Sequence, residues 1–271
     1  MNPFAFAVLL LSGLVVFLVF FFTRRLTRRV DAQARQLEIA ASNERFRRDF
    51  TSNVSHELKS PVTAILGAVE ILGDGAEISE GERKELFGII RSESGRLGSL
   101  LGDILALAEI EREQAEPAAA MARVQLSDAI AAVVTRESPK VRVRDVQLEL
   151  VRNDAAVVMG DAVRLEDALV NLIDNALRYS GSDRIAVSSE ARDGRVAVSV
   201  TDYGIGIPAE HLPHIFERFY RINKSRSRAL GGTGLGLAIV KHIVQLHGGE
   251  VAVDSVPGRK TVFSFALPIA E

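Results

Sequence analysis

Two apolar stripes at helical spacing, one after the other, restrict this chain more than anything else in its 271 residues. Phe46, Phe50, Val54, Leu58, Val62, Ile65, Val69 and Leu72 recur at intervals of three and four. Leu86, Ile90, Leu97, Leu101, Ile104 and Ala108 form a second stripe, with Glu93 as a polar interruption. "GDGAEISEGE", residues 73–82, lies between them and reads as turn material. Two helices so joined make an antiparallel hairpin, and a lone hairpin leaves both stripes in water. Two copies packed together cover them as a four-helix bundle, so a homodimer is expected.

Upstream, "PFAFAVLLLSGLVVFLVFFF", residues 3–22, is uncharged, with Ser12 as its polar interruption. About 20 helical residues rising 1.5 Å each match a hydrocarbon core of roughly 30 Å. Residues 1–23 are read as a transmembrane anchor. A cleaved signal peptide is the alternative, but the run is long for one, no basic residue precedes it and no small-x-small site follows. Arg24, Arg25, Arg28 and Arg29 come next, and the positive-inside bias places the remainder in the cytoplasm. With Met1 and Asn2 alone beyond the span, no extracellular domain is expected. Residues 24–45 are charged and free of Gly and Pro, which suits a juxtamembrane helical linker with an affinity for anionic headgroups.

Composition removes several classes of function. The chain has no cysteine, hence no disulfide framework, thiolate metal site or cysteine nucleophile. A net charge of -2 argues against direct nucleic-acid binding.

Residues 46–112 are assigned to the hairpin domain and 113–125, with a Pro and an Ala run, to a linker. The pattern then changes. Residues 184–204 read as a β-hairpin around Asp193-Gly194, and residues 248–268 as another. Helices are expected near 127–136, 161–179 and 234–247. Residues 126–271 are therefore an α+β sandwich, an open sheet with helices on one face.

His56 lies two positions from Val54 and two from Leu58, so at roughly 100° per residue it points away from the stripe, toward solvent. An exposed imidazole is an acid, base or nucleophile near neutral pH. Glu57 supplies a carboxylate that can orient one ring N–H and accept its proton, and Ser60 shares the face of His56 one turn on. Pro61 removes a backbone hydrogen bond beside the histidine, where a kink or hinge is expected.

"FTSNVSHELKSPVTAI" resembles the phosphoacceptor box of the sensor histidine kinases of bacterial two-component signalling. "NLIDNALRYS" (171–180), "DYGIGIP" (202–208), "FERFYRI" (216–222) and "GGTGLGLAIV" (231–240) resemble, in order and spacing, the four boxes of the same family's ATP-binding domain. The resemblance spans about residues 45–268.

It implies ATP and Mg²⁺ as cofactors, and the chemistry of each box agrees. Asn175 offers a neutral carbonyl to Mg²⁺, a hard cation that prefers oxygen and bridges phosphates. Asn171, one turn earlier, is implied by the same resemblance to help hold the metal and its waters. Arg178 matches a phosphate contact and Tyr179 a position that packs on adenine. The Asp202 carboxylate can accept the exocyclic amino hydrogen of adenine, where guanine presents an acceptor. Gly204 and Gly206 let the backbone approach the base. Gly232, Thr233, Gly234, Leu235 and Gly236 form a lid hinge opening a helix whose N–H groups face phosphate. "RINKSRSRALGG" suits a mobile loop over a polyphosphate, with Arg221 as the γ-phosphate contact and Arg218 and Lys224 as further candidates. Where the related gyrase, Hsp90 and mismatch-repair ATPases carry a water-activating glutamate, this chain has Asn171, whose amide takes no proton at neutral pH.

The implied function is ATP-dependent phosphorylation of His56, with Glu57 as base or orienter, followed by transfer to an aspartate of a separate response regulator. The chain would be a single-pass protein of the bacterial cytoplasmic membrane. Ser60 stands where the family commonly has threonine or asparagine for phosphatase chemistry. Two rivals make distinct predictions: a membrane-tethered adaptor binding ATP structurally, never labelled by it, and a water-hydrolysing clamp whose phosphate release survives His56→Ala.

Overall fold

A computed structural model describes residues 51–74, 78–115, 121–223 and 230–270. The expected membrane span, the juxtamembrane linker, Phe46, Phe50 and Lys224 lie outside the described residues. Among the described residues no helix is long and apolar enough to cross a membrane.

The chain divides into two units at the His56–Glu57 bond. Of the first, residues 51–56 are described; they are helical, and Ser55 Oγ donates to the Thr51 carbonyl at 2.8 Å. Helix α1, seen over residues 51–73, continues unbroken through the buried Pro61. Helix α2, Glu80–Ala115, opens with a reciprocal cap. The Glu82 N–H donates to Ser79 Oγ at 3.2 Å, and the Ser79 N–H donates back to Glu82 Oε2 at 2.8 Å.

The two stripes are not sealed within one chain. Val62, Val69 and Leu101 remain exposed, as do Leu66, Phe87 and Leu105. What α2 buries is a different row, Arg96, Leu100, Leu107 and Ile110, at helical spacing and including a charged residue. Helix α2 thus has two usable faces, one of them packed on the last helix of the chain.

The remaining elements are β1 (Ala122–Gln125), α3 (Leu126–Arg142), β2 (Gln147–Asn153), β3 (Val157–Gly160), α4 (Ala162–Tyr179), β4 (Arg184–Arg192), β5 (Arg195–Asp202), a 3-10 turn (Ala209–His211), α5 (Gly236–Leu246), β6 (Glu250–Val256) and β7 (Lys260–Pro268). Five strands form a sheet in the order β2-β4-β5-β7-β6, with β2 parallel to β4 and the other pairs antiparallel. Both anticipated hairpins are present. Asp193 (φ 50°) and Gly194 (φ 74°) make the two-residue turn between β4 and β5 that needs positive φ at both positions. One row of side chains, including Val196, Val198, Val200, Phe263, Phe265 and Leu267, is buried, while the opposite row holds small or polar residues such as Ala197, Ser199 and Ser264. That alternation puts α3, α4 and α5 on one face, the expected sandwich.

Three details differ from the sequence reading. The 113–125 stretch begins inside α2 and ends in β1, which pairs antiparallel with β3. Four-residue strands are too short to show an alternation, so β1 and β3 escape a periodicity argument. Helix α3 runs on to Arg142 through Pro139, past residue 136, because Val141, fully buried, anchors its last turn.

Candidate functional site

Helix α4 presents its apolar residues Leu165, Leu169, Leu172, Ile173 and Ala176 to the core, and Asp161 caps it by accepting from the Val163 N–H at 2.9 Å. Asn171, Asn175 and Arg178, spaced at i, i+4 and i+7, are half-buried along one stripe. The Asn171 amide donates to the Asp167 carbonyl at 2.9 Å, leaving Oδ1 as its acceptor. A Cβ on Gly236 would come within 2.9 Å of that oxygen, so the absence of a side chain lets the start of α5 meet the asparagine. Leu235, at the N-cap of α5, makes no side-chain cap, and the first N–H groups of a helix have no intrahelical acceptor.

Asp202 ends β5 and extends the buried row of Val196, Val198 and Val200, which aims a carboxylate into the apolar side of the sheet. It is 4% exposed, and Oδ1 accepts from the Gly204 N–H at 3.1 Å. Burial pushes this carboxyl up to about 6, with the Gly204 hydrogen bond pulling back the other way. Gly204 lies against the end of α4: a Cβ there would fall 2.0 Å from the Ser180 carbonyl oxygen, which accepts from the Ile205 N–H at 2.9 Å. Gly206 has φ 67° and abuts the β6–β7 turn at the Val256 carbonyl.

The glycine-framed segment 231–236 follows the undescribed residues 224–229. Gly234 (φ 76°) accepts from the Phe219 N–H at 2.7 Å, so the segment is stitched to the end of "FERFYR". Arg178 donates to the carbonyls of Leu230 and Gly231 at 3.2 and 3.3 Å. Arg218 pairs with His242 at 2.7 Å. Tyr179 is half-buried, and Gly232 and Leu235 are buried.

The helical hairpin supplies carboxylates to this site. Glu57 Oε2 accepts from Arg96 at 2.7 Å and from Arg221 at 3.2 Å, with the Arg96 and Arg221 side chains 6% and 4% exposed. Thr233 Oγ1 donates to Asp103 Oδ2 at 2.5 Å and accepts from the Leu235 N–H at 3.2 Å. Burial raises the Asp103 carboxyl, while the Thr233 hydrogen bond and the Arg178 charge hold it down. His56 is exposed, as its angular position required, and Ser60 is half-buried. The expectation that Glu57 serves the imidazole and Arg221 a phosphate meets a different arrangement: the two side chains hold each other.

Two models of known families match the chain in sequence. Residues 46–113 match the His Kinase A (phospho-acceptor) domain, and residues 160–271 match the histidine kinase-, DNA gyrase B- and HSP90-like ATPase. The sensor-like histidine kinase SenX3 of Mycobacterium tuberculosis is 40% identical over 232 residues, covering 84% of this chain and 55% of SenX3. This chain belongs to the sensor histidine kinases.

The chain spans about half the length of the curated relatives it matches. Among solved structures it is similar to histidine kinase ThkA in complex with the response regulator protein TrrA, at a TM-score of 0.66 and 26% identity, over 82% of this chain and 61% of that one. It is also similar to full-length ShkA in complex with AMPPNP, at a TM-score of 0.57 and 27% identity, over 82% of this chain and 46% of that one.

Two contributors to the site were not legible in the sequence as site residues. Arg96 sits in the buried row of α2, and Asp103 lies within "LLGDILALA". A carboxylate in an otherwise apolar stretch was the available signal for Asp103; the partner it demanded is 130 residues away. Among the described residues no cluster of three or more His, Asp or Glu side chains is placed to hold a metal by itself.

Proposed function

We propose that this chain is an ATP-dependent protein-histidine kinase that phosphorylates His56 and passes the phosphoryl group to an aspartate of a separate response regulator. The observation that carries the reading is Asp202. A carboxylate at the end of an apolar row, held by one recorded hydrogen bond among the described residues, is an acceptor in want of a donor. The adenine amino group is such a donor, and guanine has none at that position. Gly204 and Gly206 keep that corner free of side chains, and Tyr179 flanks the base.

Asn171 meets the uncapped start of α5, with Asn175 one turn on along the same stripe of α4, a donor set suited to a polyphosphate and its cation. Neutral amide carbonyls fit a hard cation without adding negative charge beside phosphate, so Asn175 would hold Mg²⁺ and Asn171 would support it. Mg²⁺, when bound, supplies charge neutralisation across the phosphate oxygens. With an amide in place of a carboxylate at 171, no side chain there draws a proton from water, which spares ATP for transfer. Arg221, Arg178, Thr233, Leu235 and Gly232–Gly236 would cradle the phosphates once the nucleotide is bound.

His56, exposed, attacks the γ-phosphorus in line, with Glu57 orienting its ring or taking its proton, and ADP leaves. Ser60 keeps a hydroxyl one turn on, sufficient to position water for dephosphorylating the regulator. Residues 46–112 form the dimerisation and phosphotransfer domain and 126–271 the catalytic domain. The apolar faces at Val62, Leu66, Phe87 and Leu101 support a dimeric bundle. The run at residues 3–22 and its arginine flank support anchorage in the bacterial cytoplasmic membrane.

Incubating the full chain in nanodiscs with γ-labelled ATP tests the reading. Acid-labile, base-stable label, absent from His56→Gln, is expected. An unlabelled protein, or label indifferent to that substitution, overturns it.

A further inference from the structure

Thr233 stands between Gly232 and Gly234, three positions before α5 begins, and its one hydroxyl proton is committed. It accepts from the Leu235 N–H and donates its one proton to Asp103 Oδ2 at 2.5 Å. A hydroxyl has a single hydrogen to give. Asp103 belongs to α2 of the helical hairpin, so the tie joins the acceptor-bearing domain to the segment assigned to the phosphates. A second tie runs parallel to it, from Arg221 to Glu57. In both, a residue suited to a phosphate oxygen is occupied by a carboxylate of the hairpin, an anion of similar hydrogen-bonding character. Arg221 Nε is buried with no hydrogen-bond partner, so its guanidinium is incompletely served by Glu57. A third contact between the same parts, Arg164 with Glu109 at 3.0 Å, touches none of the residues assigned to nucleotide.

We propose that Asp103 is a positioning residue for the transfer reaction, a latch that holds the Thr233 hydroxyl on the hairpin and that a bound nucleoside triphosphate must displace. This rests on the reading of residues 231–236 as phosphate-binding. The proton of Thr233 goes either to Asp103 or to a phosphate oxygen, and the Asp103 charge also repels the triphosphate while the latch is closed. Docking therefore weakens nucleotide binding, and nucleotide binding loosens docking by the same factor. ATP itself would free the catalytic domain to reach His56, and an empty domain would stay parked.

The test uses the full chain in nanodiscs and Mg·AMPPNP as the probe. Affinity is measured by calorimetry and backbone hydrogen exchange over residues 230–236 by mass spectrometry. Asp103→Ala is expected to tighten binding about tenfold, the order set by one hydrogen bond to a charged acceptor. Without nucleotide it should also speed exchange over that segment. Asp103→Asn, which keeps the shape and an acceptor oxygen, should fall between it and the wild type. Glu109→Gln, which removes an exposed contact of the same interface away from Thr233, should tighten nucleotide binding far less than Asp103→Ala, through docking alone. Affinity that is unaltered or weaker in Asp103→Ala and Asp103→Asn, while the wild type binds, overturns the latch and leaves the nucleotide site standing. A wild type that binds no Mg·AMPPNP overturns the nucleotide reading and the latch with it.

Discussion

Arg221, from the end of the "FERFYR" segment, places its Nη2 3.2 Å from Oε2 of Glu57, the residue directly after His56. The same oxygen accepts from Arg96 at 2.7 Å, so one carboxylate serves two buried guanidinium groups. The position next to His56 is thereby tied to the domain that matches the ATPase family.

Removing that carboxylate takes from Arg221 its Glu57 partner and leaves Arg96 with Glu93, at 3.6 Å. Glu57→Gln is expected to destabilise the protein by about 3 kcal/mol, the scale for breaking a buried ion pair by deleting one partner. Arg221→Ala should cost less, because Glu57 keeps Arg96. Urea midpoints of the two variants check this; equal midpoints would remove the central role given to Glu57.

Asp202 sets stability against function. The folded protein holds its proton up to about pH 6, whereas the unfolded chain releases it near pH 4. The raised value means that the folded form binds more protons between those limits. This site's contribution is thus greatest below about pH 4, declines as pH rises to about 6 and stays lost above. Asp202→Asn should stabilise the protein at pH 7 by about 2 kcal/mol while weakening AMPPNP binding at least about tenfold. In the wild type, nucleotide affinity should fall as pH drops below about 6, because a protonated Asp202 no longer offers both oxygens as acceptors. Denaturation and calorimetry at pH 5 and pH 7 measure both effects.

Gly204 and Gly194 make a matched pair. A Cβ at 204 would collide with the Ser180 carbonyl, which cannot retreat without losing its bond from Ile205. Gly204→Ala should cost about 3 kcal/mol by overpacking. Gly194→Ala, with open space but φ 74°, should cost about 1 kcal/mol. Melting temperatures in that order are expected.

Ser79→Ala removes the cap of α2 and should cost about 1 kcal/mol, seen as faster hydrogen exchange over residues 80–84.

Leu101→Asp combined with Leu105→Asp places charge on the exposed apolar face of α2. Light scattering should show the dimer shifted to monomer, while an isolated Leu107→Ala, on the face packed within the chain, should lower stability without changing mass.

What the sequence determined by itself is everything that repeats locally. The spacing of three and four specified α1 and α2. The alternation around Asp193-Gly194 and within residues 248–268 specified two hairpins, and the angle of His56 from its stripe specified its exposure. The asparagine pair stood out because two amides contradict an otherwise apolar stretch, whereas Asp202 and the glycines were singled out by the resemblance of their boxes to a known family. Tertiary structure alone decided which charges meet. Arg96 with Glu57, Arg221 with Glu57, and Thr233 with Asp103 join residues 39, 164 and 130 positions apart. No local period encodes such a pairing; it depends on which face of α2 is turned toward α5 when the sheet domain packs. The strands β1 and β3 were settled the same way, since four residues gain their hydrogen bonds only from a partner supplied by the folded whole.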